Sequence, residues 1–176
     1  MKKLFFAAAF AAIGLVGVNA QTGFEGTVHV GIPVGDTSNV SSFNIGVDFG
    51  YLWPVANDLG LGIKAGYDHF IGKDYNYTIV DQVHTNEGED FGFIPVAATI
   101  KYEFGQSNVF VAGDLGYAFA TNDGMEGGLF YQPKVGYAAP TWDLYVGYKG
   151  ISAGPENNDY VDYKFNAVSV GFAYKF

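Results

Sequence analysis

The sequence predicts an all-β protein, an eight-stranded antiparallel up-and-down transmembrane β-barrel that follows a cleaved signal peptide. Three observations lead there. From Phe24 to Phe176, bulky apolar residues alternate with small or charged ones, and a period of two sends the two sets to opposite faces of a strand. The alternation falls into eight segments, each long enough for the roughly 9 to 11 residues of a tilted membrane strand. At the start of the chain, Lys2 and Lys3 precede an apolar run from Leu4 to Val18 and the small-residue site Val18-Asn19-Ala20, the layout of a secretory signal.

Cleavage after Ala20 divides the chain into a signal peptide, residues 1–20, and a barrel domain, residues 21–176. The leading apolar run is shorter than the roughly 18 to 20 residues of a membrane helix. No cysteine is present, which excludes disulfides, thiol catalysis and the acylated cysteine of a lipoprotein. Loss of the two signal lysines deepens the formal charge from −9 to about −11, and there is no arginine. Such an acidic chain is expected to have no nucleic-acid partner. Its many Gly, Tyr and Phe residues and low charge content also exclude ordinary disorder.

The first strand sets Phe24, Val28, Val30, Ile32 and Val34 against Glu25, Thr27, His29 and Gly31. The second sets Phe43, Ile45, Val47, Phe49, Tyr51 and Trp53 against Asn44, Gly46, Asp48 and Gly50. In the third, Leu59, Leu61, Ile63, Ala65 and Tyr67 oppose Gly60, Gly62, Lys64, Gly66 and Asp68. The fourth places Ile94, Val96, Ala98, Ile100, Tyr102 and Phe104 opposite Pro95, Ala97, Thr99, Lys101 and Glu103. Strand five uses Val109, Val111, Leu115, Tyr117 and Phe119 against Ala112, Asp114, Gly116 and Ala118. Strand six opposes Leu129, Tyr131, Val135 and Tyr137 to Gln132, Lys134 and Gly136, and strand seven opposes Trp142, Leu144, Val146 and Tyr148 to Asp143, Tyr145, Gly147 and Lys149. The last strand sets Val168, Val170, Phe172, Tyr174 and Phe176 against Ala167, Ser169, Gly171, Ala173 and Lys175.

A soluble barrel uses the same period turned inside out, so the composition of the small face decides. A soluble surface is roughly 25 to 35% charged, whereas this face is dominated by Gly, Ala, Ser and Thr. That suits the narrow interior of an eight-stranded barrel, with the bulky face towards lipid. Connections alternate between the tight turns Ala56–Asp58, Gly105–Asn108 and Ala139–Thr141 and the longer segments Asp36–Ser41, Gly72–Asp90, Thr121–Gly127 and Ser152–Asp162. Short turns on the periplasmic side and long loops outside the cell place both termini in the periplasm. Trp53, Tyr102, Phe104, Tyr137, Trp142, Tyr174 and Phe176 then fall at the inner membrane interface, and Tyr67, Tyr117, Phe119, Tyr131 and Tyr148 at the outer one.

The small-residue face carries the candidate site. It holds Glu25, Asp48, Asp68, Glu103, Asp114 and Asp143 against Lys64, Lys101, Lys134, Lys149 and Lys175, with His29 able to even the balance. Neighbouring strands suggest Asp48 with Lys64, Asp114 with Lys134, and Lys175 between Asp143 and Glu25. Buried charges persist only when paired, so the reading is a polar plug; a selective pore is the alternative. The long loops carry Asp36, Asp74, Asp81, Glu87, Glu89, Asp90, Asp123, Glu126, Glu156, Asp159 and Asp162, a solvated rim by default. Divalent-cation binding at Glu87, Glu89 and Asp90, bridging to anionic lipopolysaccharide, is the alternative there. No resident cofactor or metal is expected.

With its signal, eight alternating strands, four long loops and closing Val170-Gly171-Phe172-Ala173-Tyr174-Lys175-Phe176, the chain resembles the small eight-stranded outer-membrane barrels of Gram-negative bacteria. These include the OmpX-like proteins and the membrane domain of OmpA. The resemblance implies residence in the outer membrane as a monomer among lipid and lipopolysaccharide. It also implies recognition of Val170, Phe172, Tyr174 and Phe176 by the barrel assembly machinery. Some similar barrels modify lipid A with a His beside a Ser or an acid. Here His69, and His84 with Thr85 and Glu87, are the candidates, and neither has the expected Ser close by. The expectation is therefore a non-enzymatic barrel acting structurally or through its acidic loops in surface interaction or adhesion. Alternating apolar residues in the 72–90 loop suit an extracellular protein partner. A narrow channel or small-ligand carrier is the first alternative, and a lipid A modifying enzyme the lesser one.

Overall fold

A computed structural model describes residues 23–79, 82–86, 88–155 and 163–176. Among the described residues ten strands occur in chain order: β1 (Phe24–Pro33), β2 (Ser41–Ala56), β3 (Leu59–Gly72), β4 (Tyr75–Ile79), β5 (Gln82–Asn86), β6 (Phe91–Glu103), β7 (Val109–Ala120), β8 (Met125–Ala138), β9 (Trp142–Pro155) and β10 (Tyr163–Lys175). A single helical turn, α1 (Thr37–Val40), lies between β1 and β2. Eight of the strands close into a barrel in the order β1-β10-β9-β8-β7-β6-β3-β2, while β4 and β5 form a separate hairpin within the connection from β3 to β6. The barrel is antiparallel throughout. Its seam runs from Glu25 opposite Lys175 to Pro33 opposite Ala167.

Closure removes every edge from the main sheet, so each strand satisfies its backbone groups against two neighbours, as a bilayer requires. The faces sort as the alternation demands. Ile32 is 68% exposed and Leu115 61% exposed, whereas Asp68 and Lys149 are 0% exposed. Greasy residues outside and charges inside mark a barrel whose solvent is lipid. Among the described residues no helix is long and apolar enough to cross a membrane.

The strands are longer than the alternation alone suggested. β8 already begins at Met125, which reduces the expected Thr121–Gly127 loop to a four-residue connection, 121–124, turning on Gly124 at φ 79. Glu126, expected in a loop, stands on β8. The tight turn after β6 is a 3₁₀ turn (Gly105–Ser107) closed by Asn108 in the left-handed region at φ 56. Residues 156–162, and residues 1–22 with the expected signal peptide, lie outside the described residues.

The interior is layered. At the end away from the termini, Phe70, Phe93, Phe130, Ile151 and Phe165 pack together over Ala97, Ala118, Ala153 and Ala167. Charged and polar side chains fill the middle. Towards the terminal end, Phe110, Ala138 and Tyr145 form a smaller apolar group. The bore accepts large inward residues only where a neighbour is small: the Tyr145 ring lies over its cross-strand partner Gly171, where a Cβ would collide with it.

Candidate functional site

The middle layer is a lattice of buried charge and its polar linkers built from all eight barrel strands. Asp68 on β3 receives Lys149 from β9, His29 Nε2 from β1 at 2.9 Å and Asn44 Nδ2 from β2 at 3.2 Å, all on the same carboxylate oxygen. Lys149 Nζ also lies 2.7 Å from His29 Nε2. Beside this group, Lys64 on β3 reaches Asp114 Oδ2 at 2.7 Å, Asp48 Oδ2 at 3.2 Å and Gln132 Oε1 at 3.3 Å. Asp114 takes a second lysine, Lys134 at 2.9 Å, and the Thr99 hydroxyl at 2.9 Å on its other oxygen. Gln132 then donates to Ser169 on β10 at 3.2 Å.

A second group lies nearer the termini. Lys101 Nζ is 2.6 Å from Asp143 and 2.8 Å from Glu103, and Lys175 Nζ is 2.7 Å from the other Asp143 oxygen and donates to the Ala139 carbonyl at 2.9 Å. Aromatic faces support three of the ammonium groups, Lys101 over Phe110 at 4.7 Å, Lys134 over Tyr145 at 5.2 Å and Lys64 over Phe130 at 5.5 Å. Burying charge costs several kcal/mol per ion unless pairing and hydrogen bonds offset it. Here each buried lysine of the lattice has a carboxylate within 3.2 Å.

All eleven residues of the interior network expected from sequence stand on inward positions. The structure brings Asp48 to Lys64 and Asp114 to Lys134, but Asp114 is shared with Lys64 rather than held by one lysine. Lys175 turns to Asp143 and Ala139; although Glu25 is its cross-strand partner in register, no bond joins them. Lys149, Asp68 and Lys101 find partners across the lumen, and such contacts are invisible when only adjacent strands are compared. Asn44, Thr99, Gln132 and Ser169 join the lattice as neutral linkers that sequence reasoning left out of the site.

The expected aromatics stand on the outer face near strand ends. Tyr102 with Phe104 (5.1 Å) and Tyr137 with Trp142 (5.8 Å) cluster towards the termini; Tyr117 with Phe119 (4.9 Å) and Tyr131 with Tyr148 (6.3 Å) cluster towards the opposite end. Trp53, Tyr67 and Tyr174 are also exposed on this face. Phe176 differs from its expected open lipid-facing position: it lies just past β10 and is only 8% exposed, because its ring covers Gly26 and meets Tyr174 at 5.1 Å.

Of the catalytic candidates, His69 sits on the outward face of β3 between the Tyr67 phenol (3.3 Å) and Asp90 (3.3 Å). The His84 and Thr85 side chains and Glu87 lie outside the described residues. Among the described residues no cluster of His, Asp and Glu has the arrangement of a metal site.

The profile of one protein family, described as the outer membrane protein beta-barrel domain, matches residues 4–176. The chain belongs to that family. Its place is therefore the outer membrane of a Gram-negative cell. Solved structures with the same fold include the outer membrane enzyme PagL, at 14% identity and TM-score 0.62 over 86% of this chain and 99% of that one. Neisserial surface protein A is 22% identical, with a TM-score of 0.54 over 88% of this chain and 98% of its own. Ail, the attachment invasion locus protein of Yersinia pestis, is 15% identical, with a TM-score of 0.51 over 89% of this chain and 100% of its own. At these identities the family barrels share their architecture with this chain, and architecture does not fix activity. No curated protein matches the sequence.

Proposed function

We propose that this outer-membrane barrel is a plugged, non-enzymatic scaffold that acts at the cell surface through its loops. The observation that carries the reading is the contact from Lys149 to Asp68. In the closed strand order β9 and β3 stand four strands apart in either direction, so this one ion pair spans the bore. Above it the Phe70, Phe93, Phe130 and Phe165 layer adds an apolar stopper. A conduction path needs a continuous wet lumen, and both layers oppose one.

On this reading both termini are periplasmic, the two aromatic bands sit at the lipid interfaces, and the protein stands as a monomer in lipid and lipopolysaccharide. The β4–β5 hairpin supports a surface role. It pairs from Tyr75 opposite Asn86 to Ile79 opposite Gln82, outside the closed sheet, and so offers backbone edges for an extracellular protein to extend. Asp36, Asp74, Glu89, Asp90 and Asp123 give the same end a negative rim, which favours a basic partner surface. The hydroxyl beside His69 belongs to a phenol rather than to an aliphatic alcohol, which favours the non-enzymatic reading over a serine-type hydrolase.

Purified barrel in planar lipid bilayers tests the plug. Silent membranes at protein loads where a porin conducts are the expected outcome. Discrete, ion-selective openings would replace the scaffold reading with a narrow channel or small-ligand carrier.

A further inference from the structure

The end of the barrel that carries the termini opens into a chamber of about 300 Å³, with Leu52, Pro54, Leu59 and Pro140 among its walls. Beyond it lies a narrow chamber of about 20 Å³ reached by Thr99, Lys134 and Tyr145. Glu25, Leu52 and Lys101 line both, so Glu25 stands at the neck between them. Around that neck the cations are already engaged: Lys101 holds Asp143 and Glu103, Lys175 holds Asp143, and Lys134 holds Asp114. Among the described residues none donates a hydrogen bond to the Glu25 carboxylate. Deeper in, Tyr145 is 4% exposed and its hydroxyl oxygen also lacks a partner.

Both groups lack a hydrogen-bond partner and both can accept a hydrogen bond. An ionised carboxylate only accepts hydrogen bonds, and a phenol oxygen can accept as well as donate. The missing component is therefore a donor. An anion would meet lysines that already have carboxylates and would add its charge to that of Glu25. The inner chamber admits one small head, since a single water already needs about 10 to 15 Å³ of such space. The outer chamber has an apolar wall that suits a short hydrocarbon body.

We infer that this mouth is a binding site for a small primary ammonium, its head held by Glu25 at the neck and its apolar body lodged beside Leu52, Pro54 and Leu59. With the termini on the periplasmic side, as proposed above, the site faces periplasmic solutes. It goes beyond the scaffold reading and is independent of what the loops bind.

The test titrates n-butylammonium into the folded full barrel in detergent micelles and follows backbone amide resonances. Saturable shifts confined to Glu25, Leu52, Thr99, Lys101 and their chamber neighbours are expected. n-Butanol, with the same body and no charge, and tetramethylammonium, with no N–H and a head too large for the inner chamber, should give no saturable shifts. Glu25→Gln keeps the shape and removes the charge, and should weaken binding at least about tenfold, as loss of a charge-assisted hydrogen bond does; Tyr145→Phe should weaken it less. Non-saturable shifts, equal shifts from butanol, or wild-type affinity in Glu25→Gln would overturn the site. If Glu25→Gln does not fold, the comparison of the three probes on the unaltered protein decides. Channel openings in bilayers would strike down the plug and leave this titration standing.

Discussion

Lys149 and Asp68 meet from opposite walls of the barrel, one from β9 and one from β3, and both are fully buried. A pair of this kind ties the cross-section as well as the register, because it joins strands that are four apart in the closed order. Lys149→Met should leave Asp68 with His29 and Asn44 alone, and removing one partner of a buried pair costs about 3 to 5 kcal/mol. Adding Asp68→Leu should recover part of that loss, so the two changes are non-additive in a denaturant titration of the micelle-folded barrel. Small and additive effects would indicate a wet lumen that screens both charges.

The sharing of Asp114 ranks two neighbouring lysines. Lys134→Met leaves Asp114 with Lys64 at 2.7 Å and Thr99 at 2.9 Å. Lys64→Met instead withdraws a cation from two acids and leaves Asp48 with only His29 Nδ1 at 3.4 Å. Lys64→Met is therefore expected to be the more destabilising, by about 1 to 2 kcal/mol, the scale of one charge-assisted hydrogen bond. Unfolding midpoints in urea measure the order; a reversal would show that Asp114, not Asp48, depends on a particular lysine.

The C-terminal aromatic does more than end a strand. A Cβ placed on Gly26 would lie 3.3 Å from the Phe176 ring and 3.4 Å from that of Phe49, so Phe176 fills the notch that the glycine leaves on the lipid face. Deleting Phe176 should lower the fraction that assembles, and Gly26→Leu should do so too by displacing the ring. Val170→Lys should be worse than either. Val170 faces lipid near the middle of β10, where a lysine costs about 2 to 4 kcal/mol. The shift in gel mobility between boiled and unboiled samples reports the folded fraction. Normal assembly without Phe176 would remove the seam role.

The alternation made the barrel legible because one physical rule, apolar out and small or charged in, governs every membrane strand. It also fixed the inward side of Asp48, Lys64, Asp114 and Lys134. It missed the apolar stopper because Phe70, Phe93, Phe130, Ile151 and Phe165 are bulky residues on the small-residue side, which mask the pattern where it in fact continues. Parity was the available signal: Phe70 is two residues from Asp68, Phe93 two from Pro95, Phe130 two from Gln132 and Ile151 two from Lys149. The cross-lumen partners had no such signal. Which side chains meet across the bore depends on the stagger of the closed sheet, and local sequence carries little of that.

Topology gives the last prediction. β3 and β6 are joined by the β4–β5 hairpin at the end opposite the termini, whereas β6 and β7 are joined by the compact turn Gly105–Asn108 at the end that holds them. That turn is tied down: Ser107 donates to the Phe104 carbonyl at 2.7 Å, and Asn108 to the Tyr137 hydroxyl at 3.0 Å. Protease added to intact cells should therefore cut between Gly72 and Asp90 and spare Gly105–Asn108, since only the long connection faces the medium. In spheroplasts with a permeabilised outer membrane the turn should still resist, because a cleavage site must leave its hydrogen bonds to enter a protease cleft. An epitope inserted at Gln106 separates the two causes of protection: antibody should reach it only after permeabilisation. Labelling of that epitope on intact cells would invert the barrel and put the Glu25 mouth outside the cell.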